Sequence, residues 1–245
     1  MTTIFETALQ GKHVVIIGGS SGLGKATAKL AVALGASVTI ASRSAEKLAS
    51  AAAETGDVKT VPLDMTDEAG VKAWAAQFGA VDHLVISASS VAHGAYVDLS
   101  TNDLRGMIEA KFIGPYVAAR EVLPYMAKGG SITFFSGVLS RRPSAGATGL
   151  AAVNAAVETL NKGLAQELAG QVRVNCISPG MADTEAYAAM PDTAREAMFD
   201  QVSGSLPVGR VGTAEEIAQA VILVMTNGFM TGAVLDVDGG HLVQA

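Results

Sequence analysis

One cysteine, Cys176, is all that the sequence offers to sulfur chemistry. No disulfide can close within the chain, and a single thiol fits a reducing, cytoplasmic setting. Cys176 lies in an apolar β-branched run, where a cysteine reads as a small buried hydrophobe. Long apolar runs are missing as well. Hydrophobic residues make up 49% of the 245, yet no uninterrupted stretch reaches the roughly 20 residues that a bilayer demands. The opening MTTIFETALQGK carries an acid and no apolar segment, so no secretion leader is expected. Nor is there a basic tract: the formal net charge of −6 argues against a nucleic-acid partner, whose phosphates need neutralising. No metal site is expected. With membrane and nucleic acid set aside, a small-molecule ligand remains.

What is present alternates with regularity. Short apolar runs stand at 13–18, 37–42, 58–64, 83–89, 131–136, 172–178 and 233–239, separated by Ala-rich stretches of helical length. Two helix starts carry caps, Ser100 with Asp103 and Thr213 with Glu216. Strands apolar on both faces, with helices between them, make a parallel sheet covered on both sides. The expected fold is therefore α/β, a doubly wound parallel sheet in a single domain spanning 1–245. The stretch 181–206 is the one long insertion between a strand and the next helix. Rich in Ala and Met, it is expected to be a mobile lid over an apolar substrate, or else a helix packed on a neighbouring subunit.

The first strand runs into GGSSGLG, which opens a helix. Glycines at 18, 22 and 24 let the backbone turn tightly and approach a pyrophosphate, whose charge is favoured at the helix amino terminus. The second strand ends at Ser42-Arg43, with no carboxylate before Glu46 to hold a ribose 2′-hydroxyl. Arg43 suits a 2′-phosphate instead, so NADP(H) is expected over NAD(H).

These motifs resemble the short-chain dehydrogenase/reductase family along essentially the whole chain. The loop matches its G-x-x-x-G-x-G, with Ile17 where a threonine is usual. Asp64 matches the adenine-binding aspartate, ISAS (86–89) stands where Asn-Asn-Ala-Gly is common, and SPGMADT (178–184) matches the Pro-Gly segment with its threonine. TGAVLDVDGG (231–240) is similar to the carboxy-terminal signature. The resemblance implies cofactor contacts from Gly18, Ser20, Ser21, Gly22, Leu23 and Gly24 in the loop, and from Ser42 and Arg43. It implies further contacts from Asp64, Met65, Ala88 and Ser89, and, at the nicotinamide end, from Asn154, Pro179, Gly180, Met181 and Thr184. It also implies a homo-oligomer, a tetramer or at least a dimer, built on the fourth and fifth helices and the tail.

The family's chemistry does not carry over. Aligning GLAAVNAAV (149–157) with Tyr-x-x-x-Lys places Leu150 at the tyrosine and Asn154 at the lysine; Gly137 falls at the serine and Lys111 at the asparagine. Leu150 has no proton to give. Ser136 is the nearest hydroxyl to the serine position, on the opposite strand face. Lys111 and Asn154 look like the family's Asn and Lys with places exchanged, keeping one cation and one amide in the cleft; Lys111 snorkelling to solvent is the alternative. His93, Tyr96, Tyr187 and Arg141-Arg142 are read as loop polarity at the same edge. Lys111, Asn154 and Ser136 are thus the candidate catalytic set of an oxidoreductase with a rearranged acid/base site. A catalytically silent dinucleotide-binding protein and a non-redox dehydratase or isomerase are the competing classes.

Overall fold

The structure, a computed structural model, describes residues 8–244. Most of the stretch read for a leader, residues 1–7, lies outside the described residues. The chain runs β1 (His13–Ile17), α1 (Gly22–Ala33), β2 (Ser37–Ser42), α2 (Ala45–Thr55), β3 (Val58–Pro62), α3 (Glu68–Ala75) and β4 (Val81–Ile86). A long helix follows in two parts: α4 (Thr101–Ile108) passes through a π turn (Glu109–Ile113) into α5 (Gly114–Val122). Then come β5 (Met126–Phe135), α6 (Thr148–Glu167), β6 (Arg173–Pro179), the short β7 (Ala182–Asp183) and α7 (Asp192–Ser203). The short β8 (Gly212–Thr213), α8 (Ala214–Thr226) and β9 (Val234–Val237) complete the order.

Seven strands form one parallel sheet in the order β3-β2-β1-β4-β5-β6-β9. Side chains alternate across it with the period of two that a strand imposes. In β1, Val15 and Ile17 join one core with α3, α5 and α6, while Val14 and Ile16 join the other with α1, α2 and α8. All four are essentially unexposed, each burial contributing about 1.5–3 kcal/mol. Helices on both faces explain why the strands read as continuous apolar runs rather than as alternating ones. Both expected caps form: Ser100 Oγ accepts from Asp103 N, and Thr213 and Glu216 make a reciprocal capping box.

The chain turns to one side of the sheet after β1 and to the other after β4, leaving a crevice at the carboxyl ends where a ligand sits in such folds. β5 begins earlier than the sequence suggests. Its pairing with β4 jumps from Val81–Met126 to His83–Ser131, and a side chain at Gly130 would collide with the Asp82 carbonyl at 2.3 Å. Residues 181–206 hold β7, a short 3-10 turn and α7, which buries none of its residues.

Candidate active site

A cleft of ≈ 940 Å³ opens at the carboxyl ends of β1 to β4, and Thr184–Ala186 reach across it. Its floor is the glycine loop. Gly18 N donates to Ala41 O at 2.7 Å, and a Cβ on Gly18 would lie 2.4 Å from Ala88 N. A Cβ on Gly24 would lie 2.2 Å from Gly18 O. Ser20, Ser21, Gly22 and Leu23 line the cleft between these two glycines.

The end of β2 is built for an acceptor-rich ligand. Ser42 Oγ is buried with no hydrogen-bond partner, and Arg43 is exposed on the rim beside it. Lys47, one turn into α2, adds a second cation; its backbone N–H is held by Ser44 Oγ at 3.2 Å. On β3's carboxyl side Asp64 Oδ1 accepts from Thr66 N (2.9 Å) and Thr66 Oγ1 (2.7 Å). These bonds hold its carboxyl below the usual carboxylate range and leave Oδ2 to face a ligand. Met65 packs beside it against Gly114, where a Cβ would come within 3.1 Å of the methionine.

At the other end, Ser87, Ala88 and Ser89 line the cleft on one side and a small cavity of ≈ 10 Å³ on the other. Lys111 lines that cavity from the π turn, while its neighbour Ala110 faces the cleft. The Lys111 ammonium donates to Phe135 O at 3.3 Å and Ser136 O at 3.2 Å and is 7% exposed. Burial pushes it down from 10.5 to about 8. The snorkelling alternative is therefore overturned: the stem runs inward, because the π turn sets this position on the sheet-facing side.

Asn154 is buried on α6 and, like others of the expected set, lines neither cavity; its Nδ2 is only loosely on Gly137 O at 3.5 Å and its Oδ1 has no partner. A Cβ at Gly137 would come within 3.0 Å of that Nδ2, so glycine there makes room for the amide. Leu150, one turn earlier on the same face, is buried. Ser136 requires a correction. Its hydroxyl donates to Glu158 Oε1 at 2.9 Å and lines neither cavity, being taken up by a carboxylate one turn beyond Asn154 on α6. Pro179, Gly180 and Met181 also lie off the cleft lining: Gly180 backs closely onto Asp238, and Met181 O accepts from Gly212 N. Gly18, Ser20 to Gly24, Ser42, Arg43, Asp64, Met65, Ala88, Ser89 and Thr184 are brought together in one cleft.

The loop residues divide. His93 and Tyr96 are exposed, Tyr187 packs edge-on to Phe199 of α7, and Arg141 is clamped by Asp236 and Ser178. Arg142 donates to the His241 and Gln244 carbonyls. Sequence reasoning missed Glu158, a buried carboxylate taking hydrogen bonds from both Ser136 and Ser140, although it stands four residues after Asn154 on one helix face. It also missed Lys25, Lys47 and Glu185, all at the cleft. Among the described residues, no cluster of three or more metal-ligating side chains occurs, and no helix is long and apolar enough to cross a membrane.

A family model described as enoyl-(acyl carrier protein) reductase matches residues 18–241. The chain is 33% identical to the 3-oxoacyl-[acyl-carrier-protein] reductase FabG of Thermotoga maritima, across 96% of this chain and 99% of that one. The chain is a short-chain dehydrogenase/reductase. It is also 33% identical to cis-4-hydroxycyclohexanecarboxylate dehydrogenase of Sinomonas cyclohexanicum, with 96% and 98% covered. A solved small-chain dehydrogenase in complex with NADPH is 40% identical, with a TM-score of 0.85 over 96% of this chain and 100% of that one. A short-chain dehydrogenase/reductase from Serratia marcescens, 32% identical, superposes with a TM-score of 0.87 and the same coverage. As a class, then, this short-chain dehydrogenase/reductase belongs with oxidoreductases.

Proposed function

We propose that the protein is an NADP(H)-dependent oxidoreductase that interconverts a carbonyl and an alcohol on a small organic substrate, with Lys111 and Asn154 replacing the family's tyrosine and lysine. One observation carries this reading. Of the five buried side-chain polar atoms without a partner among the described residues, Ser42 Oγ and Asn154 Oδ1 stand where the resemblance puts the two ends of the cofactor. A buried polar atom without a partner is costly, and at these two positions a ligand atom would satisfy it. Ser42, Arg43 and Lys47 suit a 2′-phosphate, and Asp64 Oδ2 suits the adenine amine. Asn154 Oδ1 accepts from a ribose hydroxyl without needing charge. The relative of 40% identity solved with NADPH supports the same choice.

The bound nicotinamide supplies or accepts hydride. The chain has to move the proton, and Leu150 has none. Lys111 shares with the Ser87–Ser89 wall the lining of a cavity of ≈ 10 Å³, about the size of one water. A group that titrates at about 8 exchanges protons readily near neutrality, and its ammonium stabilises a developing alkoxide beyond the wall. On this reading the protein works in the cytoplasm as one domain and as a homo-oligomer, with residues 181–206 as the lid.

Titrating NADPH and NADH into the wild type and Arg43→Ala tests the cofactor half. NADPH is expected to bind more tightly, with the difference lost in the variant; equal affinities in the wild type refute it. Following nicotinamide absorbance against a panel of carbonyls and alcohols tests the rest. The buried, apolar Leu150 favours one second reading, a dinucleotide-binding protein without turnover. Tight NADPH binding with no activity across the panel would select it.

A further inference from the structure

Glu185 places a carboxylate where the glycine loop presents its donors. Its Oε2 accepts from Gly22 N, the first residue of α1, at 2.7 Å. Its Oε1 lies 2.5 Å from Lys25 Nζ, which also holds Glu54 at 3.1 Å. α1 receives no side-chain cap from Ser21 and has no acid in its first turn. The anion at its amino terminus therefore comes from residue 185, 163 positions along the chain. Thr184 accompanies it: a Cβ on Gly22 would sit 3.5 Å from the threonine Cβ. A helix amino terminus with a lysine beside it favours phosphate as readily as carboxylate. The two anions cannot share one N–H, and like charges a few ångströms apart repel.

We propose that Glu185 is a latch on cofactor entry: its carboxylate holds the pyrophosphate position at α1 in the free protein, and the nucleotide must displace it, freeing the segment that crosses the cleft. The inference rests on the NADP(H) reading above. Displacement does not end at residue 185. Glu185 begins the 3-10 turn Glu185–Tyr187, and Tyr187 packs on Phe199 of α7 with ring centroids 5.4 Å apart. No residue of α7 is fully buried, so the helix is held to the body by half-buried side chains alone until Leu206. Freeing the carboxylate thus frees the covering segment as far as α7, and nucleotide entry and access to the reaction end become one event. Lys25 stays at the rim through Glu54 and turns its remaining donors to the phosphate. The latch is weak enough to open, since the Glu185 and Lys25 side chains are 46% and 17% exposed and partly exposed ion pairs contribute little.

The test compares wild type, Glu185→Gln and Glu185→Ala, titrated with NADPH and with 2′-AMP, which reaches the Arg43 end but not α1. NADPH is expected to tighten about three- to tenfold in both variants, the scale of a single helix-terminus or partly exposed ion-pair contact. Affinity for 2′-AMP stays at the wild-type value. Amide exchange over 184–203 in the free protein rises in both variants. NADPH affinity that is unchanged or weaker in the variants, with 2′-AMP bound normally, overturns the latch and leaves the NADP(H) reading standing. Equal tightening of both nucleotides, or unchanged exchange over 184–203, also overturns it. If neither nucleotide binds any of the three proteins, the NADP(H) reading fails and the latch with it.

Discussion

Lys111 holds its proton up to about pH 10.5 in the unfolded chain, but only up to about pH 8 when folded. Between those values the unfolded state binds more protons, so stability rises with pH across the window; below it the cost of the buried charge is complete. Lys111→Met is therefore expected to stabilise the protein at pH 7 by about 1–2 kcal/mol, relieved desolvation outweighing two lost hydrogen bonds. The advantage should shrink from pH 8 upward. Urea denaturation at pH 7 and pH 10 measures it, and a variant less stable than wild type at both values refutes the buried-charge account. Turnover, once a substrate is in hand, should vanish in the same variant. A residue that costs stability and is needed for rate is a familiar compromise at reaction sites. The same ammonium limits any attempt to restore the family's residues. Leu150→Tyr with Asn154→Lys is expected to give no efficient carbonyl reductase, because a second ammonium enters a space already holding one; adding Lys111→Asn should relieve it. Vigorous carbonyl reduction by the double variant alone would show that the two sites do not feel each other.

Among the elements, α8 has the most legible start. Glu216 is pulled from 4.5 to about 2, first by its hydrogen bonds from Arg210 and then by the Thr213 N–H. Its contribution is whole above pH 4.5 and fades as pH falls toward 2. Glu216→Gln should therefore melt below wild type at pH 6, with the gap closing near pH 2.5; a gap independent of pH would assign the loss to packing. This cap was readable because Thr213 and Glu216 stand three residues apart before an apolar run. The seven strands were readable for a similar local reason, since each is an apolar run between helices. Other features are set by contacts that local pattern does not encode. β5 starts at Met126 because Gly129 and Gly130 let it pass Asp82, in a stretch whose polarity suggests a loop. The π turn inserts a residue into the helical period, so helical spacing along 101–122 does not say which way Lys111 turns. That the loop, Ser42-Arg43 and Asp64 line one cleft was legible, because each stands at the end of a strand on the same edge of the sheet. Ser136 was not, because its partner Glu158 comes from another element 22 residues away.

For the whole molecule, the uncovered apolar side chains matter most. Phe229 is 99% exposed, and Ile113 and Tyr116 stand out from the π turn and α5 at 38% and 42%. Scattered apolar residues need no explanation, but a fully exposed phenylalanine just past the end of α8 suits an isologous contact. A homotetramer, or at least a dimer, is expected by light scattering at micromolar concentration. Phe229→Asp should shift the population toward smaller species while leaving NADPH affinity unchanged. A wild-type monomer at that concentration would refute the assembly.

Gly18 and Gly24 have a consequence for lineages rather than for molecules. A methyl group at either would strike backbone, Ala88 N in one case and Gly18 O in the other. The two glycines are thus required for the first strand, its helix and the fourth strand to meet at all, whatever the cleft holds. A descendant that abandoned nucleotides altogether would still have to inherit both. Ser42 and Arg43 are under no such architectural demand, and drift at those two positions, not at the glycines, would record the day the cofactor was given up.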